Sequence, residues 1–316
     1  MNSIPFLLLK SFRPKQWLKN LAIYAALIFS GFLFHQEAGQ TPYFITVTYA
    51  FFIFCFLTSS IYLINDLFDI ESDRKHPFKK NRPLASGKLP IPIAVFSVVT
   101  GLAIVFLLSL SLPSFFKILI FAYLLLQILY SSKLKQYAIF DIISIALSFL
   151  IRVYAGAVVV NLHMNVWFLL TVVSASLFLA VGKRQSERTL LGEQHLGPSR
   201  QTLKKYSQRL LDQYTGMFAN ATWLSYALFA FQHTLIQNTP ANERFPGLYV
   251  ILPRTLQSEK LLMLTLPFVI FGVMRYLQLV YEENRGESPE LILLKDRPLL
   301  TTVFSWGILV MLVIYA

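Results

Sequence analysis

The sequence predicts an all-α, polytopic membrane protein of about nine transmembrane helices. Three observations predict it. Hydrophobic residues make up 55% of the 316 positions, charged residues only 14%, and the mean hydropathy is +0.57. Apolar runs close to or beyond the ~20 residues a helix needs to cross hydrocarbon recur along the whole chain. The cations between those runs fall on alternate flanks, as they do when a chain is threaded repeatedly through a bilayer.

The expected spans are 18–34, 43–64, 91–111, 114–131, 138–160, 165–182, 214–236, 260–281 and 299–316. The first follows MNSIPFLLLKSFRPKQW, which has no small-residue cleavage site after an apolar core, so no removable signal peptide is expected. The second contains the only cysteine, Cys55, which excludes an intrachain disulfide. With nine spans, one set of flanks carries 22 Lys and Arg and the other only Lys117, Arg244, Arg254 and Lys260. That asymmetry places the N-terminus on the cytoplasmic side of the membrane. The net charge of +12 then reads as topology and attraction to anionic lipid, and nucleic-acid binding is not needed to explain it. No repeat or low-complexity tract divides the chain, so a single domain over 1–316 is expected, with cytoplasmic loops at about 65–90 and 183–213.

The second span runs directly into NDLFDIESDRKHPFKKNRPLASGK at 65–88. If the helix continues, each residue turns about 100°, so Asp69 lies about 60° and Asp73 about 20° from Asp66, whereas Glu71 lies about 140° away. Asn65 flanks the same stripe. Three carboxylates on one face repel one another unless a cation sits among them. Oxygen donors without His or Cys suit Mg²⁺, which is typically shared with substrate phosphates. Lys79 and Arg82 follow closely enough to meet those phosphates. The alternative is an acidic helix end beside a basic loop, solvated and self-neutralising.

Elsewhere the polar signals are sparser. Asp141 opens the fifth expected span and Arg152 lies 11 residues on, on the same face and about 16 Å deeper. An arginine at that depth faces a bundle interior, as a substrate group or as a structural one bonded to carbonyls or another helix. Asp141 has Lys133 or Lys135 within reach across a short loop, or serves only as a helix cap. Gln16 and Lys19 share a face at the start of the first span, as do Tyr130 and Lys133 after the fourth. The histidines have no metal-ligand spacing, and no GxGxxG, GxSxG or P-loop occurs.

Asn65-Asp66-x-x-Asp69-x-x-x-Asp73 after the second of nine helices resembles the first aspartate motif of the UbiA superfamily of intramembrane prenyltransferases. Arg13-Pro14-Lys15-Gln16-Trp17-Leu18-Lys19-Asn20, Asn81-Arg82-Pro83-Leu84-Ala85-Ser86-Gly87, Tyr130-Ser131-Ser132-Lys133-Leu134-Lys135 and Gly182-Lys183-Arg184-x-x-Glu187 narrow the likeness to the decaprenyl-phosphate phosphoribosyltransferase branch. The resemblance covers nearly the whole chain. It implies a ring of helices around a central cavity capped on the cytoplasmic side. It also implies Mg²⁺ on Asn65, Asp66, Asp69 and Asp73, and substrate contacts from Gln16, Lys19, Lys79, Arg82, Tyr130, Lys133, Asp141, Arg152, Lys183, Arg184 and Glu187.

Prenyltransferases of the superfamily carry a second motif, DxxxD, after the sixth helix. Here that loop reads VGKRQSERTLLGEQHLGPSRQTLKKYSQRLLDQ and is basic. A basic loop opposite an acidic one suits 5-phosphoribosyl 1-diphosphate as donor and a polyprenyl phosphate as acceptor. Prenyl transfer from a diphosphate is the rival within enzymes, and an anionic-lipid transporter is the rival outside them. A homo-oligomer is compatible with the sequence.

Overall fold

In a computed structural model, the protein is described over residues 3–75, 79–191, 203, 205–233, 260–283 and 289–315. Among the described residues every regular element is helical. Seven helices are long and apolar enough to cross a membrane: Tyr43–Phe68, Ile91–Ser109, Ser114–Ser132, Phe140–Val158, Val166–Thr189, Leu261–Tyr281 and Arg297–Tyr315. The chain is a multi-pass membrane protein. The count of nine is not established. The expected span at 18–34 is broken, and that at 214–236 falls in the continuous helix Gln208–Gln232, which is not among the seven, with 234–236 outside the described residues.

The chain forms two compact units. The first comprises Met1–Ala26, Phe34–Ser144 and Ile151–Leu162. It opens with α1 (Ile4–Phe12), then a 3₁₀ helix (Pro14–Tyr24) that leads into α2 (Ala25–Ser30), and then α3 (Tyr43–Phe68), α4 (Ile70–Lys75), α5 (Ile91–Ser109), α6 (Ser114–Ser132) and most of α7 (Phe140–Val158). Pro42, Pro90 and Pro113 stand immediately before α3, α5 and α6, where a missing N–H costs nothing. The central helix is α3, which packs against α1, α5, α6 and the 3₁₀ helix.

The first expected span takes a 3₁₀ form for a reason visible in its side chains. At three residues per turn, Trp17, Asn20 and Ile23 fall in one row. All three face inward: Trp17 Nε1 donates to Ser59 Oγ at 3.0 Å, and Asn20 and Ile23 are fully buried. The packing there is close enough that a Cβ on Gly156 of α7 would collide with the Ile23 carbonyl. Glycine lets the two backbones touch, as small residues do between membrane helices.

The second unit comprises Leu27–Leu33, Ile145–Leu150 and His163–Ala316. It holds α8 (Val166–Leu191), α9 (Gln208–Gln232), a 3₁₀ turn (Leu261–Thr265), α10 (Leu266–Tyr281), α11 (Pro289–Lys295) and α12 (Arg297–Tyr315). Phe178, Ala219, Tyr276, Leu279, Val280, Ile292 and Leu299 form its core at one end. Phe29, Phe168, Phe229 and Trp306 stack as an aromatic group, with centroids 5.3 to 6.0 Å apart where they touch. Asp296 accepts from the Leu299 amide at the start of α12 and from Arg275 Nη2 at 2.6 Å, joining α10 to α12.

Candidate active site

The aspartate stripe lies where α3 gives way to α4. The helix breaks at Asp69 (φ −98°, ψ 7°), yet the Asp69 amide still donates to the Asn65 carbonyl and the Asp73 amide to the Asp69 carbonyl, at 3.0 and 2.8 Å. Helical phase therefore survives the break. Asp66 and Asp73 are buried, Asp69 is half-buried and Glu71 points to solvent.

Each aspartate meets a cation from a different part of the sequence. Arg82 Nη1 donates to Asp66 Oδ1 at 3.1 Å and to Asp73 Oδ2 at 2.6 Å, so one guanidinium spans the stripe. Arg13 pairs with the same oxygen of Asp66. Lys135 Nζ donates to Asp69 Oδ1 at 3.1 Å, and Ser131 Oγ to Asn65 Oδ1 at 2.5 Å. Three cations thus balance three carboxylates. The loop that presents Arg82 is anchored from below by Leu84 and Leu89, buried in a core with Leu7, Leu63, Ala94 and Val98. It turns at Gly87, whose φ of +73° suits glycine, and Arg74 Nε holds the Ala85 carbonyl.

Lys79 is half-buried in the 3₁₀ turn Lys79–Asn81 beside this loop. Gln16 and Lys19 lie three apart on the 3₁₀ helix and so share a face there, and Gln16 Oε1 is buried without a hydrogen-bond partner. Tyr130 is half-buried at the end of α6 and Lys133 is exposed. Asp141 is fully buried in the first turn of α7, and Lys135, one of the two lysines expected to reach it, is bonded to Asp69.

Arg152 is buried and meets two neutral side chains. Its Nε donates to Asn20 Oδ1 at 2.9 Å, its Nη2 to the Tyr123 hydroxyl at 2.5 Å, and the guanidinium carbon lies 4.9 Å from the Tyr123 ring centre. Asn20 in turn donates to Cys55 Sγ and Thr58 Oγ1. An amide oxygen, a phenol and a ring face thus supply partners to Arg152 from the 3₁₀ helix and α6.

Lys183, Arg184 and Glu187 lie on α8 in the second unit, within the described part of the 183–213 loop; 192–202 and 204 lie outside the described residues. Arg184 Nη1 donates to Glu187 Oε2 at 2.7 Å, both nearly buried. Gln185 Nε2, Gln208 Nε2 and the Tyr281 hydroxyl converge on Asp212 Oδ1 at 2.8, 3.2 and 3.1 Å. Arg188 closes the end of the helix on the carbonyls of Leu203 and Tyr206.

Sequence reasoning did not assign Arg13, Asn20, Ser131, Tyr123 or Asp212, and it expected Lys135 near Asp141 and not on Asp69. Arg13, Asn20 and Ser131 stood inside motifs already singled out. Nothing local marked Tyr123 or the role of Asp212, because their partners are distant in sequence.

Among the described residues no three His, Cys, Asp or Glu side chains converge as metal ligands do. The donor chemistry of the stripe nevertheless fits Mg²⁺: three carboxylates and an amide oxygen, all hard oxygens, gathered where their negative charge already demands counter-cations.

The model of the UbiA prenyltransferase family matches residues 24–192. The chain belongs to this family. A decaprenyl-phosphate phosphoribosyltransferase of Corynebacterium glutamicum is 32% identical over 98% of this chain and 86% of its own length. One of Mycolicibacterium smegmatis is 35% identical over 95% of this chain and 89% of its own. A UbiA homolog from Archaeoglobus fulgidus, solved bound to GPP and Mg²⁺, superposes with a TM-score of 0.66 over 98% of this chain and 99% of that one, at 16% identity. The UbiA fold is therefore shared across much wider sequence distance than the similarity to the two phosphoribosyltransferases.

Proposed function

We propose that the protein is a membrane phosphoribosyltransferase that moves 5-phosphoribose from 5-phosphoribosyl 1-diphosphate to a polyprenyl phosphate of the decaprenyl type. The observation that carries this reading is the similarity, over nearly the full length of the chain, to relatives named for that reaction. The basic sequence at 183–213, where prenyltransferases of the superfamily carry acids, supports it, since the two substrates together bring anions of different kinds.

In the reaction the bond between ribose C1 and the diphosphate oxygen breaks, diphosphate leaves with the electron pair, and a phosphate oxygen of the lipid bonds to C1. Charge at C1 rises as in glycosyl transfer generally. Asn65, Asp66, Asp69 and Asp73 would hold Mg²⁺, which when bound neutralises the leaving diphosphate. Arg82 keeps Asp66 and Asp73 on one side of the stripe, and Lys79 stands beside it for phosphate oxygens. The lipid phosphate is already anionic at neutral pH, so the nucleophile needs positioning rather than a base. Lys183, Arg184 and Glu187 on α8, with Gln16, Lys19, Tyr130, Lys133, Asp141 and Arg152, complete the substrate-contact set of this reading. In this reading residues 1–316 serve as a single domain, with the active face and the N-terminus cytoplasmic.

The test incubates the purified protein with Mg²⁺, a polyprenyl phosphate and radiolabelled phosphoribosyl diphosphate. Label in the organic phase that requires both substrates is expected. Absence of label, together with turnover of a prenyl diphosphate, overturns the assignment in favour of prenyl transfer.

A further inference from the structure

We propose that Arg13 is a phosphate-binding residue of the aspartate site, held ready by Asp66 and Tyr62. The inference rests on the functional reading above and adds to it a residue outside the substrate-contact set.

Four features of Arg13 point the same way. Its backbone is left-handed (φ 52°, ψ 61°), a conformation a non-glycine residue adopts at a cost and keeps only when its surroundings impose it. The kink separates α1 from the 3₁₀ helix and turns the side chain toward α3. There the guanidinium is fixed on two sides: Nη2 pairs with Asp66, and its plane lies over the Tyr62 ring, 5.0 Å from the centre. Tyr62 and Asp66 are one helical turn apart on α3, so both contacts come from a single rigid face.

The third feature is an open edge. The side chain of Arg13 keeps 28% of its surface exposed whereas Asp66 keeps 3%. The fourth is how the contact is shared. Asp66 receives Arg82 on the same oxygen, so one buried carboxylate oxygen serves two guanidinium groups, and Arg13 commits only Nη2 to it. Its remaining N–H groups form a planar fork, the shape that grips two phosphate oxygens at once.

The phosphate has two sources, the donor's diphosphate and the lipid acceptor, and equilibrium binding separates them. Wild type, Arg13→Lys, Arg13→Ala and the remote charge control Lys10→Ala are titrated with phosphoribosyl diphosphate, and separately with a polyprenyl phosphate in nanodiscs, with melting temperature read on each preparation. Arg13→Lys preserves a counter-ion for Asp66 but lacks the fork. It is expected to melt near wild type and to bind one of the two anions several-fold more weakly, with a loss of about ten-fold or more for Arg13→Ala. Weakening confined to the donor assigns Arg13 to the diphosphate; weakening confined to the lipid assigns it to the acceptor. A Lys variant that folds and binds both anions within two-fold of wild type overturns the proposal and leaves Arg13 as a structural counter-ion. If wild type binds a prenyl diphosphate in place of phosphoribosyl diphosphate, the functional reading falls and the same variants are scored on that ligand.

Discussion

At the scale of single residues, the site is defined by how three acids share three cations. Asp66 and Asp73 are bridged by one nitrogen of Arg82, and Glu71, only two residues before Asp73, points to solvent. Asp66→Asn and Asp73→Asn should each lower transfer activity about 100-fold or more, whereas Glu71→Gln should stay within about two-fold. Initial rates on equal amounts of folded protein check this, and a Glu71 variant as inactive as the others would refute the stripe. Arg152 poses a different question, since two of its hydrogen bonds go to the neutral side chains Asn20 and Tyr123. Arg152→Lys keeps the charge but cannot reach both partners with fixed geometry. If the residue is structural, the variant loses melting temperature while its folded fraction turns over normally. If it binds substrate, stability holds and the rate falls until substrate is raised.

At the scale of elements, the two glycines with contrasting surroundings give a direct measure of packing. A Cβ at Gly156 meets the Ile23 carbonyl, a backbone atom that cannot rotate away, whereas a Cβ at Gly272 of α10 meets nothing within 4 Å. Gly156→Ala should therefore destabilise by about 1–3 kcal/mol, and Gly272→Ala should be neutral or slightly stabilising. Thermal melts of the two variants in the same detergent decide it. The helices themselves were legible in the sequence because long apolar runs have few other structures open to them in lipid. The expected 91–111 and 114–131 are Ile91–Ser109 and Ser114–Ser132. The 3₁₀ form of Pro14–Tyr24 was not legible, since period-three burial of Trp17, Asn20 and Ile23 depends on what α3 and α7 present to it. The shared face of Asp66 and Asp73 was legible from helical phase alone. Their partners were not: Arg13 lies 53 positions from Asp66, and Lys135 lies 66 from Asp69. No local rule connects residues at such separations.

At the scale of the whole molecule, the order in which the chain is made bears on how Arg152 comes to lie in α7. An arginine near the middle of a lone transmembrane helix costs about 2.5–3.5 kcal/mol on insertion scales. The groups that receive it, Asn20 and Tyr123, are both translated earlier than Arg152. When α7 leaves the ribosome, its hydrogen-bond acceptors already wait in the bilayer. The helix is thus a dependent guest, admitted by segments that entered before it. A translocon assay on truncated chains should reveal this. The α7 segment alone is expected to insert incompletely, Arg152→Leu should release it from that dependence, and the native segment should insert fully once residues 1–132 precede it. Circular permutants that start at α7 would then fail at the translocon before any question of folding arose.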